Sequence, residues 1–212
     1  SYEAILKKII TYIKPGAIIT DVGSVKKEVI KRVSKIIPTE ISFVPGHPIA
    51  GTEKSGPESG FSGLFKDGWC ILTPGNSVKK KDIKLVKKMW EKVGMKVDVM
   101  DADHHDLVLA ITSHIPHIIA YSIVGTVADL EFSIKKEVIK YAASGFRDFT
   151  RIAASDPTMW RDIALLNKTS IIKALGLFKK DLNALEQAIQ SDDGDFLFNL
   201  FTKTRKIRKD IT

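Results

Sequence analysis

The sequence lacks most of the marks of a secreted, membrane-spanning or metal-binding chain. Its 212 residues hold one cysteine, Cys70, so no intrachain disulfide can form. The run Trp69-Cys70-Ile71-Leu72 predicts a buried small hydrophobe in a reducing compartment. No signal-peptide pattern opens the chain and no apolar stretch is expected to span a bilayer, so the expected setting is the cytoplasm. No cysteine or tight carboxylate set stands at ligand spacing beside the histidines, which argues against zinc, and no metal site is expected. There is no internal repeat. No Gly-x-Gly-x-x-Gly turn follows a strand, and no acidic residue stands about twenty positions beyond one, so the usual pyrophosphate cradle is missing.

What is present describes a globular chain, 44% apolar and 27% charged, large enough for one big or two modest domains. A formal charge of +8 suits an anionic substrate. Most of the cations fall in helical repeats, such as Lys79-Lys80-Lys81 with Lys84, Lys87 and Lys88, and read as a solvated helix face, not a nucleic-acid patch.

The two halves follow different patterns. Up to about residue 100, helices alternate with strands. Helices are predicted over 2–14, 25–37 (N-capped by Ser24) and 80–93, and strands over 17–20, 41–44, 69–73 and 96–100. This alternation implies a mostly parallel sheet with helices on its faces. A long glycine-rich loop is expected from Val44 to Gly68. After Asp101 the strands stop. An apolar helix is predicted over 102–130, kinked or broken at Pro116, followed by helices over 134–143, 149–154, 158–188 and 195–209. The apolar content of this half is high for helices that face water, so dimerisation through it is expected.

Three polar clusters carry the chemistry. His47-Pro48-Ile49-Ala50-Gly51-Thr52-Glu53 puts an imidazole, a hydroxyl and a carboxylate beyond a strand end, where α/β sheets present ligands. Ser113-His114-Ile115-Pro116-His117 and Gly145-Phe146-Arg147-Asp148-Phe149-Thr150-Arg151 follow. Together, over roughly Asp21 to Asn167, these segments resemble the prephenate dehydrogenase family. The resemblance implies the later half of a Rossmann-like nucleotide-binding domain (1–100, lacking its glycine turn) followed by an all-helical dimerisation and substrate-binding domain (101–212). On that reading the chain is expected to be part of a longer protein.

The resemblance further implies NAD- or NADP-dependent oxidative decarboxylation of prephenate to 4-hydroxyphenylpyruvate in tyrosine biosynthesis, by a homodimer. His47 would take or hydrogen-bond the ring hydroxyl proton as carbonyl character develops. Ser24, in Asp21-Val22-Gly23-Ser24, would cap the following helix and offer its hydroxyl near nicotinamide and substrate, with Asp21 and Gly23 shaping that cofactor turn. Arg151 would hold a substrate carboxylate through a bidentate pair, oriented by Asp148 one helical turn earlier. His117 and Ser113 would contact the substrate, with Thr52 beside them. Arg147 and Glu53 would form a gate at the pocket mouth, and Trp160 would approach the pocket or fill the core.

Three other readings differ in kind. An arogenate dehydrogenase would share the scaffold. A β-hydroxyacid dehydrogenase would carry a catalytic lysine in its helical half. A dimerising module without the glycine turn would contribute only half a site. Asp103-His104-His105 also spells the short signature of a class of metal phosphoesterases, but no second Asp-x-Asp loop accompanies it.

Overall fold

Period-two alternation builds the first half from the strands outward. The computed structural model describes residues 2–51 and 56–211. Strand β1 (Ile18–Thr20) runs parallel to β2 (Ser42–Val44), with Ile19 beside Phe43. Ile19 and Phe43 turn to one face and pack with Leu6 of helix α1 (Tyr2–Ile9) and with Val29 and Val33 of α2 (Lys27–Val33). Ile18 and Val44 turn to the other face, where Cys70, Leu72, Val86, Trp90 and Met95 form a second core. Val86 and Trp90 stand four residues apart on α3 (Lys80–Lys92), one stripe of an otherwise lysine-rich helix.

Pro45 ends β2, since it has no N–H to continue a ladder. The four residues after it form a further strand, β3 (Gly46–Ile49), which the sequence reading had assigned to a loop. It pairs antiparallel with β4 (Trp69–Leu72), and β4 pairs in parallel with β5 (Lys96–Val99). The expected parallel character therefore holds for two of the three strand pairs. The third reverses because β3 continues directly from β2 instead of crossing over a helix. His47 thus sits on a strand, opposite Ile71, and not on a loop. Glycine fits closely at 46, where a Cβ would lie 3.0 Å from the Asp21 carbonyl and 3.3 Å from Leu72, so that a side chain would have to push them aside.

Beyond Asp101 the described residues are helical. Of the kink or break predicted at Pro116, the break does not occur. Helix α4 (Ala102–Leu109) passes through a π turn (Ala110–His114) straight into α5 (Ile115–Ala128). Proline lacks the N–H that an α register would need there. Widening the preceding turn takes up the mismatch without a break. Against the sequence expectation, this 102–128 stretch is long and apolar enough, by length and composition, to cross a bilayer, with a mean hydropathy of 1.7 over an 18-residue window. One of its faces nevertheless carries the buried polar groups His105, Asp106 and His114.

Helices α6 (Phe132–Tyr141) and α7 (Ser144–Thr150), a short 3₁₀ turn (Arg151–Ala154) and α8 (Pro157–Leu166) follow. The single helix expected over 158–188 is interrupted at Asn167, after which α9 (Lys168–Gln190) begins. The cause is tertiary: the Asn167 side chain bonds to the Asp106 carbonyl and to His114, not to its own helix. Helix α10 (Gly194–Asp210) is capped by the Asp193 carboxylate, which accepts from the Phe196 N–H at 2.9 Å.

By contact density the chain divides into two compact units, Ser1–Ile171 and Ile172–Thr212. The first contains every strand and the cleft described below. The second consists of the remainder of α9 and α10, and it exposes Leu177, Leu182, Phe198, Phe201 and Ile207.

Candidate active site

A cleft of about 570 Å³ opens in the first unit, where the ends of the strands meet α5 and α8. Ser24 and His47 line it from the α/β side, and Ser113, His114, His117, Arg151 and Trp160 line it from the helical side. Residues from three distant sequence clusters thus share one cavity. A shallower hollow of about 320 Å³, lined by Ile118, Tyr121, Pro157, Trp160, Arg161 and Ala164, has no group suited to accept a proton at neutral pH.

The turn after β1 is set by Asp21. Its carboxylate accepts from the Tyr2 hydroxyl at 3.1 Å, the Gly23 N–H at 2.9 Å, the Gly46 N–H at 3.1 Å and the Lys26 ammonium at 2.6 Å. Lys26 is fully buried and also donates to the Gly46 carbonyl at 2.6 Å. Burial lowers the Lys26 pKa against the pull of Asp21, while burial, followed by the Asp21 charge, raises that of Tyr2. A Cβ at Gly23 would fall 2.1 Å from the Tyr2 hydroxyl, so a side chain there would displace Tyr2 from its bond to Asp21. Asp21 and Gly23 therefore shape the turn, and their polar capacity is used within the fold.

Ser24 does not cap α2, as the sequence reading expected. The helix begins three residues later, and its first N–H groups are taken by a carboxylate from another element: Asp106 accepts from Lys26 N at 2.9 Å and Lys27 N at 3.0 Å. That substitution releases the Ser24 hydroxyl, which has no protein partner among the described residues and faces the cleft.

His47 stands in a buried row. Its Nδ1 lies 2.9 Å from His105 Nε2, and His105 Nδ1 lies 2.8 Å from Asp106 Oδ1. Burial, then the neighbouring His105 and Lys26, push the His47 pKa down to about 3, so it is neutral at pH 7. Burial pulls Asp106 upward, but the bonds from His105 and the Lys26 and Lys27 amides outweigh it and leave the carboxyl below its ordinary range.

The helical wall is wired separately. The Asn167 amide donates to the Asp106 carbonyl at 2.7 Å and approaches His114 Nδ1 at 3.1 Å. Because a carbonyl can only accept, the group there is the NH₂, and His114 Nδ1 is the acceptor. His114 is held neutral, its pKa pushed down to about 4 by burial, so its remaining proton sits on Nε2 as a donor. His117 Nδ1 lies 2.9 Å from the Ser113 carbonyl and must donate to it, which leaves Nε2 bare. Burial and the nearby Arg151 lower the His117 pKa, partly offset by that carbonyl bond. The His117 ring stacks on Trp160 at 3.8 Å with a 20° tilt. Trp160 of this chain thus lines its own cleft.

Other sequence expectations fare differently. Thr52 and Glu53 lie outside the described residues. Arg147 and Asp148 are exposed on α7, line no part of the cleft and make no ion pair among the described residues, so Asp148 does not orient Arg151. The Asp103-His104-His105 triplet is split: Asp103 pairs with Lys27 at the surface, whereas His105 is fully buried. No cluster able to hold a metal ion occurs among the described residues. The sequence reading missed His105, Asp106 and Asn167, and gave His114 no role. The available signal was the one-face helical spacing of His105, Leu109 and Ser113, continued by His117.

Comparison with known proteins identifies relatives. A profile of the prephenate dehydrogenase nucleotide-binding domain matches residues 1–99, and one of the prephenate dehydrogenase dimerization domain matches residues 101–203. The chain is 44% identical over 196 residues to a cyclohexadienyl dehydrogenase of Zymomonas mobilis, covering 92% of this chain and 67% of that protein. It is 37% identical over 193 residues to a prephenate dehydrogenase of Bacillus subtilis, covering 91% of this chain and 52% of that one. It thus spans between half and two thirds of the length of these relatives. A solved prephenate dehydrogenase from A. aeolicus, in complex with hydroxyphenyl propionate and NAD+, superposes with a TM-score of 0.92 at 40% identity, covering all of this chain and 73% of that one.

Proposed function

The chain belongs to the prephenate dehydrogenase family, and from that premise we propose that it carries the substrate site of a nicotinamide-dependent prephenate dehydrogenase. The observation behind this reading is the pairing, in one cleft, of a buried neutral histidine, His47, and the Arg151 guanidinium, which suits a carboxylate.

The chemistry asks little more of the protein. A bound nicotinamide supplies the hydride acceptor. Ser24, whose hydroxyl has no partner among the described residues, fits the nicotinamide end, while Asp21 and Gly23 hold the turn that presents it. His47 Nε2 accepts the proton of the ring hydroxyl as that carbon becomes carbonyl-like. Loss of the ring carboxylate as carbon dioxide then returns its electron pair to the ring, which becomes a phenolate, and the proton held on His47 returns to that oxygen. Aromatisation drives the carbon–carbon cleavage, so no separate acid is required for it.

Arg151 binds a substrate carboxylate, and the His114 Nε2–H gives a second donor on the same wall. His117 and Trp160 form a flat stacked surface beside the ring. Ser113 completes the contacts on this wall. We divide the chain functionally at residue 100, with cofactor contacts before it and substrate contacts with dimer formation after it. The exposed Leu177, Leu182, Phe198, Phe201 and Ile207 support a homodimer through the helical part. A cytoplasmic setting fits the lone buried thiol, its pKa pushed up to about 11 mainly by burial.

Steady-state NADH formation by the full enzyme, with prephenate and with arogenate, tests the reading. A clear preference in kcat/KM for prephenate is expected. Preference for arogenate would replace the substrate and keep the site, and turnover of neither would overturn the proposal.

A further inference from the structure

The buried row behind His47 has no task in binding substrate, since His105 is fully buried and Asp106 nearly so. Deepening the function proposed above, and resting on it, we infer that His105, anchored by Asp106, is a positioning residue that fixes the tautomer of His47 and so keeps His47 Nε2 bare toward the cleft.

The assignment follows from one end of the row. Asp106 Oδ1 already accepts from Lys26 N and, as a carboxylate, can only accept, so His105 Nδ1 carries the proton between them. A neutral His105 then has a bare Nε2. The 2.9 Å contact to His47 Nδ1 requires one donor, and that donor is His47. The remaining nitrogen of His47 is left without a proton and has no partner among the described residues. Were His105 absent, His47 could adopt either tautomer, and the Nε2–H form would present a donor to a hydroxyl that must lose its own proton.

The same row acts while charge develops. The substrate O–H bond breaks, an N–H bond forms at His47 Nε2, and the resulting imidazolium donates through Nδ1–H to His105, whose polarity is backed by the carboxylate. No proton need reach Asp106. Burial, with His105, Lys26 and His114, leaves the His47 pKa down at about 3, and the Asp106 charge at the far end of the row is the contribution that pulls it upward. The charged and titratable groups around the row are Lys26 and Asp21 from the turn before α2, His114 from the π turn, and Cys70 on β4.

Asp106 also fixes the wall itself. One carboxylate caps α2, behind the Ser24 turn, and holds the histidine that holds His47. The two polar groups of the α/β wall are therefore set by a single residue from α4.

Nitrogen-15 NMR of the histidine side chains, combined with kinetics of the full enzyme, tests this. In the unsubstituted protein His47 should be the Nδ1–H tautomer. His105→Leu should yield a mixed or Nε2–H signal, with kcat reduced roughly a hundredfold or more and KM for substrate within about threefold. His105→Gln, whose carbonyl oxygen can accept from His47 Nδ1–H, should restore the tautomer and at least a tenfold share of kcat. A purely structural role would move stability and KM together and would show no such rescue. Should the Leu variant not fold, the Gln variant still decides, because a folded His105→Gln protein with a lost tautomer overturns the inference. An unchanged tautomer or undiminished kcat in His105→Leu also overturns it. If His47→Asn is inactive while His105→Leu is fully active, this inference fails and the function stands; if the unsubstituted enzyme turns over no prephenate, the functional reading fails while the tautomer measurement still stands.

Discussion

The two walls of the cleft are held in opposite ways. On the α/β side His47 is 8% exposed, and its inner nitrogen is committed to a row that ends in a carboxylate capping a helix. On the helical side polarity rises toward solvent: His114 is buried, His117 and Ser113 are half-buried, and Arg151 is exposed. A group that must keep its geometry while a proton moves benefits from burial and a fixed partner, which preorganise it. A group that must capture a charged ligand benefits from a hydrated, reachable head. On the proposed function, this difference puts chemistry on one wall and recognition on the other.

Substitutions on each wall should separate these roles. His47→Asn should have the largest effect, lowering kcat by ~10²–10⁴-fold with KM little changed, because a positioned proton acceptor is lost while ground-state contacts remain. A near-normal kcat would remove His47 from the chemistry. Arg151→Ala should act mainly through KM, raising it by ~10–100-fold, the worth of a charge-assisted hydrogen bond. Arg151→Lys should recover only part of this, since an ammonium cannot reproduce the planar fork, and full recovery would reduce Arg151 to general positive charge.

Asp106→Ala should be felt in stability before activity. It orphans two backbone donors and His105, each buried unsatisfied group costing about 1–3 kcal/mol. A fall in Tm of roughly 6–12 °C by calorimetry is expected for a total near 3 kcal/mol. A change under 2 °C would mean that water replaces the carboxylate freely.

The smallest effect concerns pH. His47 and His114 have folded pKa values of about 3 and about 4, below the ~6.5 of an unfolded histidine. Between those limits the unfolded chain binds more protons, so these two groups stabilise fully above about pH 6.5, and that contribution is lost as pH falls toward their folded values. Stability should therefore decline from pH 6.5 to 5, where most carboxylates are still ionised. A flat profile over that interval would show that the two rings are not held neutral.

How much of this could be read beforehand depended on how local each signal was. The two-part organisation was legible, because period-two strands such as 69–72 and the purely helical spacing after Asp101 are short-range patterns. His47, Ser24, His117, Arg151 and Trp160 were found from local motifs, and the cleft unites them. What escaped depended on partners far away in sequence. Ser24 looked like a cap because nothing nearby announced that Asp106, eighty residues beyond Lys26, would take that place. Asn167 looked like one more helical residue until its bonds to Asp106 and His114 interrupted the helix. Strand β3 was hidden by the Gly and Pro residues that flank His47, which in sequence read as a loop. Pro116 predicted a kink or a break, and the helix runs through it by way of a π turn.

A complex of the full enzyme with 3-(4-hydroxyphenyl)propionate tests the division of labour most directly, since that molecule bears one hydroxyl and one carboxylate at opposite ends. The account predicts the hydroxyl about 2.6–3.2 Å from His47 Nε2 and the carboxylate on Arg151. The reverse orientation, with the carboxylate against His47 and the hydroxyl at Arg151, would contradict it.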